Sequence, residues 1–129
     1  MWSVFTRIIA RELPSFQLYE NEYVLAFLSI DPVQPGHTLI VPKIEVDYFV
    51  DVPEPYYSAV FVAAKHIAPA LQQATNTPRV GTMIIGTDVP HFHYHLIPFT
   101  TARDLDLHNA NRASSEQLAA IQQKILTFL

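Results

Sequence analysis

Chemistry concentrates in Val89-Pro90-His91-Phe92-His93-Tyr94-His95-Leu96-Ile97-Pro98, where histidines alternate with apolar residues. Side chains of a strand point alternately to opposite faces, so the pattern predicts a strand over His93–Ile97 with His91, His93 and His95 on one side, neighbours about 6–7 Å apart. Phe92, Tyr94 and Leu96 then point to the other side, where a helix can bury them. Three arrangements fit. The histidines could lie on a solvated strand face. They could ligate zinc with one position open for a hydrolytic water, although no Asp or Glu adjoins the triplet to serve as fourth ligand or to orient a ring. Or one imidazole could attack phosphorus while its neighbours place protons and hydrogen-bond donors. The chain contains no cysteine, so disulfides, thiolate catalysis and cysteine-ligated zinc are excluded.

Composition narrows the setting. With 129 residues, 50% hydrophobic and 16% charged, the chain suffices for one domain, 1–129, with a core of its own. Eight Lys and Arg against twelve Asp and Glu give a net charge of −4. That balance disfavours a nucleic-acid polymer as partner, because displacing counterions from phosphates needs a basic face. A mononucleotide remains open, since a few histidines and backbone N–H groups can hold one phosphate. No apolar run approaches the ~20 residues of a membrane span. The opening Met1–Arg7 lacks a basic stretch leading into an apolar one, so the expectation is neither membrane nor secretion but a cytoplasmic location.

The elements that must position the histidines are punctuated by ten prolines and three glycines. Val4, Phe5, Ile8 and Ile9 make Ser3–Arg11 a short one-faced helix that stops before Leu13-Pro14. Phe16–Tyr19 and Tyr23–Leu28 are rich in strand formers and flank a turn, which reads as a hairpin. A proline-framed loop, 31–36, feeds a third strand over His37–Val41. A long helix is expected over Pro55–Thr75, with Val60, Phe61, Ala64, Ile67, Ala68 and Leu71 on one stripe and a kink or break at Pro69. Val80–Ile85 is a further strand. Ala113–Phe128 is a final helix capped by Ser114 or Ser115, with Leu118, Ile121, Ile125 and Phe128 on one face. Short links between strands make the class α+β with a mainly antiparallel sheet.

Taken together, these segments resemble the histidine triad (HIT) superfamily, closest to its nucleotide-binding branch. The triplet fits His-x-His-x-His-x-x with apolar x. Phe5-x-x-Ile8-Ile9-Ala10-Arg11-Glu12-Leu13-Pro14 is similar to that branch's first helix, and Tyr19-Glu20 with Val24–Leu28 to its first hairpin. Ile30-Asp31-Pro32-x-x-Pro35-Gly36-His37-Thr38-Leu39-Ile40-Val41-Pro42-Lys43 is similar to its second signature. The likeness runs through almost the whole chain, in order and at matching spacings.

The resemblance implies a five-stranded HIT-like fold with packed helices, assembled as a two-fold homodimer. It implies His93 as the nucleophile that takes up a nucleotidyl group, His95 near the phosphate oxygens and leaving group, His37 as support from the adjacent strand, and His91 as a group that orients the loop. Val4, Phe5, Ile8, Phe27, Ile30 and Leu39 match positions enclosing the base of a purine nucleotide or nucleotide conjugate; ordinary core is an equal reading for Ile8 and Leu39. His66 and His108 match no motif. Ser29 fills the position where relatives have an Asp that grips the ribose hydroxyls, with Asp31 two residues on. Gly86-Thr87-Asp88-Val89 stands where relatives have Gly-Gln-x-Val, which places Asp88 toward the leaving group, where a carboxylate would repel acidic leaving groups and tolerate amines. Ser3, Thr6 and Glu45 replace two cysteines and a histidine that help hold zinc in many bacterial relatives, so no metal and no other cofactor is expected. The implied activity is hydrolysis at the α-phosphorus of a nucleoside phosphoramidate through a nucleotidyl-histidine intermediate. Alternatives are a dinucleoside polyphosphate hydrolase and a non-catalytic nucleotide sensor.

Overall fold

Val24–Leu28 and Thr38–Pro42 are buried at every position, which marks them as the centre of a sheet with both faces covered. In the computed structural model, which describes residues 2–129, they are β2 and β3. The other strands are β1 (Gln17–Glu20), β4 (Arg79–Met83) and β5 (Tyr94–Phe99). The five form one sheet in the order β1-β2-β3-β5-β4, every neighbouring pair antiparallel. The α+β class and five-stranded antiparallel sheet expected from the sequence are therefore present.

Alternation divides β2 and β3 between two cores. Val24, Ala26, Leu28 and Ile40 face the larger one, built with Ile67 and Leu71 of α2 (Tyr56–Thr75) and with Leu118 and Ile125 of α3 (Ser115–Phe128). Leu25, Phe27, Leu39 and Val41 face the opposite side, where Phe5 and Ile8 of α1 (Val4–Ile9) cover them. Ser3 caps α1 by accepting the Thr6 N–H, and Ser114 caps α3 in a reciprocal pair with Gln117. Gly36 turns the chain into β3 with φ +86°, and a Cβ there would come within 3.0 Å of Thr75 Cγ2.

Three expectations need correction. Residues 56–75 are helical throughout, so Pro69 causes no break; both Pro69 and Lys65, whose carbonyl loses its donor, are exposed, and water can serve that carbonyl. The fourth strand ends at Met83 rather than Ile85. Phe128 is 45% exposed rather than facing the core. Among the described residues, no helix is long and apolar enough to cross a membrane.

Candidate functional site

A row of side chains across the α1 face of the sheet sets the floor of the site. Phe27 pairs with Leu39 and Leu39 with His95, so the three lie side by side on one face. The triplet itself is not one strand, contrary to the sequence reading. His91 and His93 precede β5, and only His95 lies within it. The reason is local: the Phe92 N–H goes to the Val46 carbonyl, and the His91 carbonyl accepts the ring N–H of His93, so this backbone is not free to continue the ladder. The facing still alternates. Phe92, Tyr94 and Leu96 belong to the core under α2, whereas His93 packs edge-on against Phe5 of α1 at 5.0 Å.

Hydrogen bonds fix the tautomers. His93 Nδ1 lies 2.7 Å from the His91 carbonyl, which can only accept, so the proton is on Nδ1 and Nε2 keeps its lone pair. The Val33 N–H donates to His37 Nδ1 at 3.1 Å, so neutral His37 carries its proton on Nε2. That proton is donated to His95 Nδ1 at 2.9 Å, which leaves His95 as an Nε2–H donor. Burial, and then the neighbouring His95 and His93, push the His37 pKa down to about 3. Burial and His93 push His95 down to about 4, with the Asp88 carboxylate acting the other way. Both rings are neutral near pH 7.

His91 is fully buried and holds the turn. Its Nε2–H donates to the Pro42 carbonyl at 2.9 Å, and its Nδ1 accepts from the Ser3 hydroxyl at 2.9 Å. Burial lowers its pKa despite the Pro42 carbonyl and Glu45. Glu45 accepts the Ser3 N–H on both oxygens at 3.0 Å and the Thr6 hydroxyl as well. Ser3, Thr6, Glu45 and His91 thus sit together as a closed hydrogen-bonded cluster joining the start of α1 to the residues after β3. Two hydroxyls in place of thiolates and a carboxylate in place of an imidazole, with the His91 nitrogens already satisfied, do not fit structural zinc. The triplet fits a zinc centre no better, because His91 has no free nitrogen and His95 and His37 bond each other.

These groups open onto a cleft of about 530 Å³. Val4, Phe5, Ile8, Phe27, Ser29, Ile30, Leu39, Asp88, His37, His93 and His95 all line it, while His91 stands behind. Val4 and Ile30 are 41% and 48% exposed, as apolar residues at the mouth of a cleft would be. The Ser29 hydroxyl accepts the Asp31 N–H at 3.2 Å. The Asp31 carboxylate accepts from Arg112 Nε at 2.7 Å. His66 and His108 are exposed and lie outside the lining. Sequence reading missed Leu13, Ser15, Val33, Leu107 and Ala110 on the wall, and Arg112 behind Asp31. Leu13 lies within a matched motif and could have been found; Leu107 and Ala110 carry no periodic signal.

A HIT domain family model matches residues 10–102. The adenosine 5'-monophosphoramidase of Saccharomyces cerevisiae is 38% identical over 96 residues, covering 74% of this chain and 61% of the yeast protein. The protein hit of Bacillus subtilis is 36% identical over 100 residues, covering 74% of this chain and 69% of that one. The crystal structure of a Hit-like protein from Bartonella henselae superposes with a TM-score of 0.86 at 29% identity, covering 98% of this chain and 96% of the other.

Proposed function

The chain belongs to the HIT family, and from that premise we propose that it hydrolyses nucleotide conjugates at the α-phosphorus, with His93 as the covalent nucleophile. The observation that carries this reading is the His93 Nδ1–H bond to the His91 carbonyl, which leaves a lone pair on Nε2 beside the cleft. In the first displacement that lone pair forms an N–P bond and the leaving group departs with the bonding electrons. In the second, water attacks phosphorus, His93 recovers its electron pair, and the water's proton passes to solvent, releasing a nucleoside monophosphate. His95 Nε2–H is a preset donor for a phosphoryl oxygen as charge spreads in the transition state. The apolar wall of Phe5, Ile8, Phe27 and Leu39 suits a purine face.

A phosphoramidate is the substrate class this reading favours, in line with the name of the yeast relative. No lysine or arginine lines the cleft among the described residues, which disfavours the extra phosphates of a dinucleoside polyphosphate. A non-catalytic sensor would not require the His93 tautomer to be set for attack. Residues 1–129 act as one domain in this reading, and two copies pair through the β4 edge and the exposed Val62 side of α2. The test is incubation with adenosine 5'-phosphoramidate, with adenosine monophosphate measured as product. Acid-sensitive mass added to the His93 peptide on quenching is the expected result; release without any adduct would overturn the covalent path.

A further inference from the structure

A cleft meant for a phosphate carries two acidic residues in its lining, Asp31 and Asp88, and they are not equivalent. Arg112 holds Asp31 through both carboxylate oxygens, at 2.7 and 3.5 Å. Asp88 has no ion-pair partner among the described residues. It is exposed, lines the cleft with His93 and His95, and lies close enough to His95 for its charge to act on that ring.

The hydrogen-bond chain makes this carboxylate matter. His95 is locked as a neutral Nε2–H donor, because its Nδ1 is occupied by His37 and His37 by the Val33 N–H. A neutral imidazole can donate a hydrogen bond but does not surrender its proton to a departing amine. A P–N bond breaks readily only when its nitrogen is protonated, since an amide anion is a poor leaving group. The nitrogen therefore takes its proton from solvent and is cationic just before it departs.

We propose that Asp88 is the specificity-determining residue of the cleft: its carboxylate favours a departing nitrogen in protonated form and turns away oxygen leaving groups that depart as anions. The inference rests on the hydrolase reading above and takes its phosphoramidate substrate class from it; what it adds is the role of Asp88. The step balances. A solvent proton adds to the substrate nitrogen, His93 Nε2 forms its bond to phosphorus, the P–N bond breaks with its pair on nitrogen, and a neutral amine leaves. The positive charge moves to the nucleotidyl-imidazolium of His93. Asp88 attracts the cationic nitrogen before and during bond breaking, and the same charge opposes a phenolate or polyphosphate.

Two substrates sharing the adenosine monophosphate moiety test this: its propylamine phosphoramidate and its p-nitrophenyl ester. The ratio of kcat/KM for the first over the second is measured in the wild type, Asp88→Asn and Asp88→Glu proteins, with thermal melting as a check on folding. Asp88→Asn should lower the ratio by about tenfold, slowing the phosphoramidate and speeding the ester, as an attraction lost on one side and a repulsion lost on the other require. Asp88→Glu should restore most of it. An unchanged ratio, or an equal loss on both substrates, would overturn the assignment while leaving the hydrolase intact. Turnover of neither substrate by the wild type, with no adduct on His93, would instead remove the hydrolase reading and this inference with it.

Discussion

His37 Nε2 lies 2.9 Å from His95 Nδ1, and because the Val33 N–H already occupies His37 Nδ1, this contact has a single neutral proton arrangement. The pair therefore does not relay a proton back and forth. It fixes one donor, His95 Nε2–H, beside the cleft that His93 also lines. In the proposed reaction this preset polarity would spare reorganisation, and burial keeps both rings neutral.

Stability should follow pH accordingly. His37 and His95 titrate near 3 and 4 when folded, against 6.5 for an unfolded histidine. Between those values the unfolded chain binds protons that the folded chain does not, so stability should fall as pH drops from about 6.5 toward 4. Thermal melting followed across this window should show Tm rising with pH, and His37→Asn should flatten the slope. A Tm independent of pH across this range in the wild type would contradict neutral, buried rings.

Replacing His93 should remove catalysis without removing the fold. Its ring contributes a packed edge against Phe5 and a bond to the His91 carbonyl, both of which asparagine replaces in part. His93→Asn should lower kcat by roughly a thousandfold or more, the scale of losing a nucleophile, while circular dichroism stays that of the wild type. Retained turnover in this variant would exclude His93 as nucleophile.

The cluster behind His91 makes a metal prediction. Ser3 Oγ, Thr6 Oγ1 and Glu45 Oε1 lie 2.9, 3.3 and 3.6 Å from His91 Nδ1. Ligands on a tetrahedral zinc at about 2.0–2.3 Å stand about 3.3–3.8 Å apart; only the Ser3 contact is shorter, so small rotamer changes would open a centre there once the ligands are right. The wild-type protein should keep full activity with chelator, and Ser3→Cys, Thr6→Cys and Glu45→His combined should bind about one zinc per chain, read by metal analysis. Stoichiometric zinc in the wild type, with chelator-sensitive activity, would refute the hydrogen-bonded role. Ser3→Ala alone strands a buried ring nitrogen and should cost about 1–3 kcal/mol of stability.

How far the sequence reached depends on the range of the forces involved. Alternation and periodicity are local, so Val24–Leu28, Thr38–Pro42 and the two long helices were legible from the residues themselves. The ring of cleft residues from Val4 to Asp88 was legible through motif resemblance. The break in the triplet was not, because it depends on the Val46 carbonyl and on a ring reaching back to its own backbone. Nor was the wall formed by Leu107 and Ala110, which is tied down through Arg112 to Asp31, 81 residues away. Proline at position 69 carried a local signal that solvent exposure overrode.

That distant ion pair bears on how a ribose would be held under the proposed function. Ser29 and Asp31 both line the cleft, but Arg112 occupies the Asp31 carboxylate, so Asp31 is a weak substitute for the aspartate that Ser29 replaces. Ser29→Asp would put an unpaired carboxylate where the ribose hydroxyls are expected. Charge-assisted hydrogen bonds are worth about 1.5–3 kcal/mol, and desolvating the new charge offsets part of that. Binding of adenosine monophosphate, measured by calorimetry, should tighten by roughly tenfold, the ratio that ~1.4 kcal/mol represents. The gain should vanish with the 2',3'-dideoxy analogue, which has no hydroxyl to donate to the carboxylate. Arg112→Gln supplies the complementary case: freeing Asp31 should tighten the same ligand by a smaller factor, again only when the hydroxyls are present. Equal tightening of both ligands by Ser29→Asp would mean the new carboxylate acts away from the sugar, and no tightening of either would remove residue 29 from the ribose site.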